Sequence, residues 1–390
     1  MNSPFNIKTG VRIPELDGLR GLAILLVVLN HYMDLPEHGW VSIHFHDIFS
    51  LCWTGVDLFF VLSGFLIGGI LLDYRDTENY FGTFYLRRIC RIFPLYFLWL
   101  ALFFIVSRLL LNYHAQGWYG WLFSQDFSKV PKWSFALFLQ NIFYAKIRLA
   151  GPLWTAVTWS LAVEEQFYLL LPALIWFLPP RKLPLLLISL ISISPIYRLF
   201  LYCYHPEISA YVLLSCRIDT LLIGVLCAYG IRQERFRSWL EKKQRWLYQA
   251  LAVLSAGVVY LAVYESSPFR FVMVFFGFTW MALFYGCLLL IVVTTKKGVI
   301  VDFMRLSPLR NLGTISYGVY LMHASINMLL HGLILGKEVK IVHLSDGIVT
   351  FTAFLATVLV ATLSWHSFEK PIIRWGHSFS YAGKKSRTGD

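Results

Sequence analysis

Two ionisable residues, Arg20 and His31, interrupt the first long apolar stretch of the sequence. A histidine can remove a proton from a hydroxyl group, and an arginine can stabilise negative charge that develops on oxygen. Their spacing of eleven residues makes about three helical turns, so both side chains face nearly the same way, roughly 16 Å apart along the axis. Ionisable groups at such depth in a membrane helix normally face a protein interior or a wet cavity. The pair therefore predicts a functional site; the alternative is that Arg20 snorkels to the interface and His31 caps the outer helix end.

Other carboxylates and arginines lie in later apolar stretches. Glu164 and Glu165 stand together at the start of one stretch, where packing does not explain them; the alternative is that both remain in interfacial water. Asp57 is either part of a buried polar cluster or the cap of a helix start. Arg217 and Asp219 are two residues apart and cannot face each other on one helix, so each is expected to pair with another helix as structural glue.

Two further polar residues, Tyr317 and His323, fall in one late apolar stretch. The histidine is either a hydrogen-bonded core residue or part of a site. We predict that both residues, together with Asp57, Arg217 and Asp219, are polar groups that either bind substrate or stabilise the fold.

A basic cluster of Arg87, Arg88 and Arg91 precedes the third apolar stretch. Guanidinium groups bind phosphate with two parallel hydrogen bonds, and the N-terminus of a following helix would add a favourable dipole. The cluster therefore predicts an anion site. The alternative is that these arginines only fix the topology of the chain in the membrane.

The elements that position these residues are membrane-spanning helices. The 390 residues are 57% hydrophobic and only 14% charged, whereas soluble domains carry about a quarter charged residues. We expect an all-α integral membrane protein with about ten transmembrane helices and one short re-entrant or interfacial helix within 133–144. The spans are predicted near residues 16–35, 51–73, 92–111, 156–178, 183–203, 210–230, 246–264, 271–293, 310–333 and 346–367.

The distribution of basic residues predicts the orientation. Most Lys and Arg residues fall in the N-terminal segment, in alternate loops and after the last span, while the opposite loops carry few. Because basic loops remain in the cytoplasm, both termini are expected there. We expect a transmembrane domain over residues 1–376 and a short polar cytoplasmic tail over 377–390, with no appended soluble domain and no cleaved signal peptide.

Composition also argues against several functions. The net charge of +12 does not indicate nucleic-acid binding, because the basic residues punctuate apolar stretches instead of forming a patch on a soluble face. The six cysteines fall singly, with no CxxC or Cys/His cluster. Neither a metal site nor a disulfide framework is therefore predicted.

Several sequence blocks together resemble the acyltransferase-3 family of integral membrane O-acyltransferases. The similarity runs from about residue 13 to 376, with the blocks in the family's order. Each block alone is weak, and their order makes the resemblance specific. They are Arg20-x10-His31, the stretch from Asp57 to Ile67, Arg87-Arg88 with Arg91-Ile-Phe-Pro, Trp159 to Tyr168, Arg217-Ile-Asp219, Ile315 to His323, and Phe368-Glu-Lys-Pro371.

The resemblance implies transfer of an acyl group, usually acetyl from cytoplasmic acetyl-CoA, to a hydroxyl of a cell-surface or lipid-linked carbohydrate. Some members of the family acylate small hydrophobic natural products instead. Longer members carry a C-terminal esterase-like domain that is not matched here, which would leave the acceptor to the membrane domain or to a separate partner. The expected setting is the bacterial cytoplasmic membrane, with membrane lipids and the carbohydrate acceptor as partners.

A mechanism follows as an expectation. His31 would act as general base on the acceptor hydroxyl, with Glu164 or Glu165 orienting it or binding the acceptor. Arg20 would stabilise the developing oxyanion or guide the pantetheine arm of the donor.

The arginine cluster would bind the donor in this mechanism. Arg88 and Arg91, with Arg87, would hold the phosphates of coenzyme A at the cytoplasmic face. We expect Asp57, Arg217 and both glutamates to lie at the level of His31.

Two other classes remain open. A transporter or flippase would also carry buried Arg, His and Glu residues, together with repeat symmetry and discontinuous helices. A membrane-bound O-acyltransferase of a different fold could use His323. Direct transfer and transfer through an acyl-enzyme both remain open.

Overall fold

A computed structural model describes residues 13–33, 49–112, 129–148, 153–205 and 207–383. The basic residues of the N-terminal segment, Lys8 and Arg12, lie outside this part of the chain, and so does the tail beyond residue 383. Throughout the described residues the protein is helical and has no strand, which confirms the all-α class.

The helices follow one another with short connections. They are α1 (Pro14–Tyr32), α2 (Gly55–Asp73, after a 3₁₀ turn Cys52–Thr54), α3 (Tyr80–Asn112), α4 (Lys132–Ala136), α5 (Gln140–Ile147), α6 (Leu153–Ala156), α7 (Thr158–Phe177), α8 (Leu183–Tyr204), α9 (Glu207–Val212), α10 (Leu214–Arg232), α11 (Glu234–Lys242), α12 (Gln244–Tyr264), α13 (Phe278–Thr294, after a π-helical turn Met273–Gly277), α14 (Val299–Met304), α15 (Ser307–Thr314), α16 (Ser316–Leu335), α17 (Leu344–Ser364) and, after a π-helical turn Trp365–Glu369, α18 (Lys370–Ser378).

Nine helices in the described part of the chain are long and apolar enough to cross a membrane. They correspond to the second to tenth predicted spans. The first predicted span is α1, whose 19 residues make a helix of about 28 Å, long enough to cross the hydrocarbon core. Glu15, Asp17 and Arg20 near its start make it less apolar than the others.

Three predicted boundaries differ from the structure. Helix α3 begins at Tyr80 and runs for 33 residues, so it starts well before the predicted residue 92. The predicted short helix within 133–144 is two helices, α4 and α5, that meet at a bend near Phe138, where the backbone φ is +53°. The predicted span 310–333 is divided at Ile315 into α15 and α16.

Glycines allow α2 and α10 to cross at the centre of the bundle. A methyl group on Gly64 would lie 1.9 Å from the carbonyl oxygen of Leu221, and one on Gly224 would lie 2.1 Å from that of Val61. Only glycine permits such an approach, as small residues do at many membrane-helix interfaces. This contact fixes α2, which carries Asp57 and Ser63, against α10.

Helix α1 is fixed in a similar way against α15. A methyl group on Gly21 would lie 1.9 Å from the carbonyl oxygen of Leu309, and one on Gly313 would lie 1.8 Å from that of Asp17. The helix that carries Arg20 and His31 is thereby locked in position along its first half.

Two fully buried ion pairs tie the other helices together. Arg217 pairs with Asp57, which joins α10 to α2, and its guanidinium carbon lies 4.0 Å from the centre of the Phe278 ring. Arg198 on α8 lies 3.0 Å from the Asp219 carboxylate on α10, and both side chains have no exposed surface. The expected pairing of Arg217 and Asp219 with other helices is confirmed.

Candidate functional site

A cavity of about 220 Å³ lies among α1, α2, α3, α7 and α16. Its walls combine three arginines, one glutamate, three tyrosines and three serines with apolar side chains. The polar lining residues are Arg20, Ser63, Arg88, Arg91, Ser160, Glu164, Tyr168, Ser316, Tyr317 and Tyr320.

Three guanidinium groups give one part of this cavity a positive charge. Arg20 donates a hydrogen bond of 3.0 Å to Asp17, three residues before it on α1. The guanidinium of Arg91 lies over the Trp365 ring, 5.5 Å from its centre. Neither Arg88 nor Arg91 forms an ion pair with a described residue. Arg88 and Arg91 are therefore able to bind an anion.

The third arginine of the predicted cluster, Arg87, does not line this cavity. It donates hydrogen bonds of 3.1 and 2.7 Å to the carbonyl oxygen of Phe379 and lies 5.0 Å from the Tyr381 ring centre. Tyr381 also stacks on Tyr74, and burial raises its pKa to about 12, so the phenol stays neutral. These contacts anchor the first residues of the predicted tail. Arg87 was expected to bind the phosphates of the donor with Arg88 and Arg91, and its position outside the cavity corrects that expectation.

The helix dipole argument for this cluster is also wrong. Because α3 begins at Tyr80, Arg88 lies eight residues, or about 12 Å, from its N-terminus. The influence of a helix dipole falls off within the first turn. The positive charge of the site comes from the arginines themselves.

Glu164 faces the cavity as part of a polar chain. The Tyr168 hydroxyl donates to Glu164 Oε2 over 3.1 Å and also lies 2.5 Å from the Ser63 hydroxyl. Glu165 does not line the cavity, and its buried Oε1 has no hydrogen-bond partner among the described residues. Of the two adjacent glutamates, Glu164 is the one in the site.

His31 and His323 form a pair of rings, with centres 4.9 Å apart in an edge-to-face arrangement. His31 Nδ1 lies 2.9 Å from the carbonyl oxygen of Val27, and His323 Nδ1 lies 2.7 Å from that of Tyr320. A carbonyl oxygen only accepts, so each Nδ1 carries a proton, and the neutral form of each ring then has its lone pair on Nε2. Both rings are thus arranged as proton acceptors at Nε2.

Tyr320 connects the histidine pair to the cavity. Its ring lines the cavity and lies 6.0 Å from the His323 ring, and its hydroxyl donates to the carbonyl oxygen of Val157 and contacts Ser160. On the far side, the Tyr32 hydroxyl donates to the His323 carbonyl oxygen over 2.9 Å. These contacts hold the histidine pair next to the cavity wall.

One role that the sequence left open for the glutamates, orienting His31, is wrong. Neither glutamate orients the imidazole, because the Nδ1 partner is the Val27 carbonyl and the Glu164 contact is Tyr168. Asp57 and Arg217 are closed against each other with no exposed surface, away from the cavity lining. The charged residues predicted near His31 therefore fall into two groups. Glu164 lines the cavity, and Asp57 and Arg217 form a separate buried ion pair.

Several site residues were not identified from the sequence: Ser63, Ser160, Tyr168 and Tyr320. Tyr168 is four residues after Glu164 and Tyr320 is three before His323, so helical spacing could have indicated both. The serines gave no such signal. The structural Arg198, missed as well, was visible as a charge inside the predicted span 183–203.

The described residues contain no group of three or more His, Cys, Asp or Glu side chains that could hold a metal ion. The polar groups of the cavity are instead those that bind anions and hydroxyl groups.

Comparison with known proteins finds similarity to bacterial O-acetyltransferases. It is 27% identical to peptidoglycan O-acetyltransferase OatA of Listeria monocytogenes, over 96% of this chain and 58% of that protein. It is 30% identical to putative peptidoglycan O-acetyltransferase YrhL of Bacillus subtilis, over 94% and 56%, and 25% identical to O-acetyltransferase OatA of Staphylococcus aureus, over 96% and 59%. The chain thus spans less than two thirds of the length of these curated relatives. No solved structure matches it.

The family match covers nearly all of the cavity and of the helices around it. Residues 13–366 match the acyltransferase-3 family, which is described as an acyltransferase domain. This chain, an integral membrane protein by its helices, belongs to that family.

Proposed function

We propose that the protein transfers an acyl group, with acetyl as the first candidate, from a cytoplasmic acyl-CoA to a hydroxyl group of a cell-surface or lipid-linked carbohydrate. The observation that carries the proposal is the cavity that joins three arginines to Glu164, with the His31–His323 pair next to its wall. Family membership supports acyl transfer, and the names of the relatives, peptidoglycan O-acetyltransferases, support a carbohydrate acceptor.

The donor would bind through the arginine cluster. Coenzyme A carries phosphate groups at one end and a thioester at the other. Arg88 and Arg91, which have no carboxylate partner among the described residues, fit the phosphates, and Arg20 fits the more distal part of the donor. A bound thioester supplies the electrophilic carbonyl carbon. Arg20 lies roughly 16 Å along α1 from His31, too far to share one carbonyl group with it, so it would guide the pantetheine arm of the donor toward the histidine.

His31 would serve as the general base. Its Nδ1–H is fixed to the Val27 carbonyl, so Nε2 presents the lone pair that removes the hydroxyl proton of the acceptor. As the ester C–O bond forms, the thioester C–S bond would break, and the protonated imidazole would return its proton to the departing thiolate of coenzyme A. His323, with the same tautomer beside it, would preserve a neutral environment that favours this acceptor form. Removing such a base typically lowers the rate by about 10²–10⁴-fold.

Glu164 would bind the acceptor. Its carboxylate is held by Tyr168 and lines the cavity, where it can accept hydrogen bonds from sugar hydroxyl groups. The proposed class of acceptor comes from the names of the relatives, which are longer than this chain. Which glycan accepts the acyl group is therefore what the experiment must identify.

The decisive experiment uses the purified protein in proteoliposomes, with acetyl-labelled acetyl-CoA on one side and peptidoglycan-derived glycan strands present. We expect label on glycan hydroxyl groups for the wild type and a rate about 10²–10⁴-fold lower for His31→Gln. The matched control is His205→Gln, an exposed histidine at the end of α8, which should retain the wild-type rate.

Three results would contradict the proposal. Full transfer by a folded His31→Gln protein would remove His31 as the base. Movement of glycan across the vesicle membrane without labelling would indicate a transporter. Labelling of a small hydrophobic alcohol but of no glycan would assign a different acceptor class.

A further inference from the structure

A second cavity, of about 870 Å³, lies among α1, α15 and α17, and Trp365, whose ring contacts Arg91, is one of its lining residues. We call it the α15–α17 groove. Its residues divide into an apolar part and a polar end. The apolar part consists of Leu25, Leu309, Leu312, Ile315, Phe354, Leu355 and Val358. The polar end consists of Pro308, Arg310, Asn311, Thr314, Thr362, Trp365, His366 and Lys370.

The polar end of the groove is cationic. Arg310 and Lys370 are half-buried, His366 is exposed, and the lining contains no carboxylate. Neither Arg310 nor Lys370 forms an ion pair with any residue that the structure describes. Glu369, the neighbour of Lys370, is buried and accepts a hydrogen bond from Ser364 over 3.1 Å, so its charge is directed away from the groove.

The apolar part of the groove runs along the membrane-spanning helix α17. From Phe354 to Lys370 the chain is continuously helical, which makes about 24 Å between the apolar and the cationic ends. Leu355 is 53% exposed although it is apolar. A groove of this length, with cations at one end and aliphatic side chains at the other, matches the division of a phospholipid into headgroup and acyl chain.

We propose that the α15–α17 groove binds one anionic membrane phospholipid. The headgroup phosphate lies between Arg310 and Lys370, where a guanidinium and an ammonium group offer charge-assisted hydrogen bonds. An acyl chain packs along Phe354, Leu355 and Val358. This site is independent of the proposed acyl transfer.

A bound lipid would also contact Trp365, the ring on which the Arg91 guanidinium lies. Trp365 is a lining residue of the groove, and the Arg91 guanidinium lies over its ring. Occupation of the groove therefore supports the side chain that holds Arg91 in the other cavity.

The test measures thermal unfolding of the full-length protein in neutral detergent while lipid is added. With phosphatidylglycerol we expect a saturable rise in Tm for the wild type, and no rise with phosphatidylcholine or inorganic phosphate. Arg310→Gln/Lys370→Gln should require at least a tenfold higher phosphatidylglycerol concentration for half of the effect. The control Arg181→Gln/Lys182→Gln removes two exposed basic residues outside the groove and should behave as the wild type.

A second pair of variants tests the apolar part. Leu355→Trp fills the groove, whereas Leu363→Trp enlarges an equally exposed leucine of α17 outside it. We expect only Leu355→Trp to weaken the phosphatidylglycerol effect. The proposal is overturned if both tryptophan variants respond alike, if the Arg310/Lys370 variant keeps the wild-type half-point, or if phosphatidylcholine or free phosphate reproduces the rise.

Discussion

Two groups of intramembrane charges in this protein look alike in sequence and differ in structure. Arg217 with Asp57, and Arg198 with Asp219, are closed against each other and have no exposed surface. Arg20, Arg88 and Arg91 line a cavity, and the latter two have no ion-pair partner among the described residues.

The difference separates charges that are paired inside the fold from charges that we propose bind a ligand. A buried pair neutralises itself and joins two helices, so its loss is expected to appear in stability. Cationic groups that face empty space have a favourable interaction still to make, so their loss is expected to appear in binding. Charge inside a membrane helix identifies candidates, and the partner decides between the two roles.

The largest effect is expected from breaking a buried pair. Arg217→Met leaves Asp57 as an unpaired carboxylate without exposed surface and also removes the cation over the Phe278 ring. Removal of one partner from such a pair typically costs about 3–5 kcal/mol of stability. We expect a strongly lowered Tm and poor recovery of monodisperse protein, measured by thermal unfolding and size-exclusion chromatography.

The matched variants for this prediction are Arg181→Met, an exposed arginine, and the double variant Asp57→Asn/Arg217→Met. The first should leave Tm unchanged, and the second should recover part of the loss because no unpaired charge remains. A wild-type Tm for Arg217→Met would remove the distinction between the two groups of charges.

A smaller effect, on binding, is expected from the cavity arginines. Arg88→Gln removes a guanidinium that has no ion-pair partner among the described residues, so Tm should change little. A hydrogen bond to a charged group contributes about 1.5–3 kcal/mol, which corresponds to a KM for acyl-CoA raised by roughly 10–100-fold. Initial rates at varied acetyl-CoA concentration measure it.

The neighbouring Arg87 provides the control. It is adjacent in sequence, yet it holds the Phe379 carbonyl instead of lining the cavity. Arg87→Gln should therefore leave the KM for acyl-CoA nearly unchanged and loosen the segment after α18, which limited proteolysis would detect. An equal rise of KM in both variants would return Arg87 to the donor site.

Much of the fold could be predicted because it depends on local properties of the chain. Length and hydropathy located the nine long apolar helices, and α1 was recognised despite its three charges. The start of α3 could not be found in this way, because Arg87, Arg88 and Arg91 made the stretch before residue 92 look like a basic loop. Their helix is stabilised by tertiary contacts, such as the one between Arg87 and Phe379.

The site was predicted less completely than the fold, because residue type does not specify the partner. The sequence indicated Arg20, Arg88 and Arg91, which line the cavity. It left two roles open for the glutamates, orienting His31 or binding the acceptor, and could not show that Glu164 contacts Tyr168 and not the imidazole. The depth of a residue on one helix does not fix its rotation relative to another helix. The contact between His31 and His323 joins residues about 290 positions apart, and only the packing of α1 against α16 brings them together.

The smallest expected effect separates two adjacent carboxylates of one helix. Glu164→Gln keeps an oxygen that can accept from Tyr168 but removes the charge from the cavity, so we expect about a tenfold lower kcat/KM for the acceptor and an unchanged KM for acyl-CoA. Glu165→Gln changes a group outside the cavity lining and should leave acceptor kinetics near those of the wild type. Kinetics at varied glycan concentration distinguish the two. If Glu165→Gln gave the larger loss, the cavity wall would not be the surface that contacts the acceptor. Lining the cavity would then not distinguish the functional carboxylate of α7 from its neighbour.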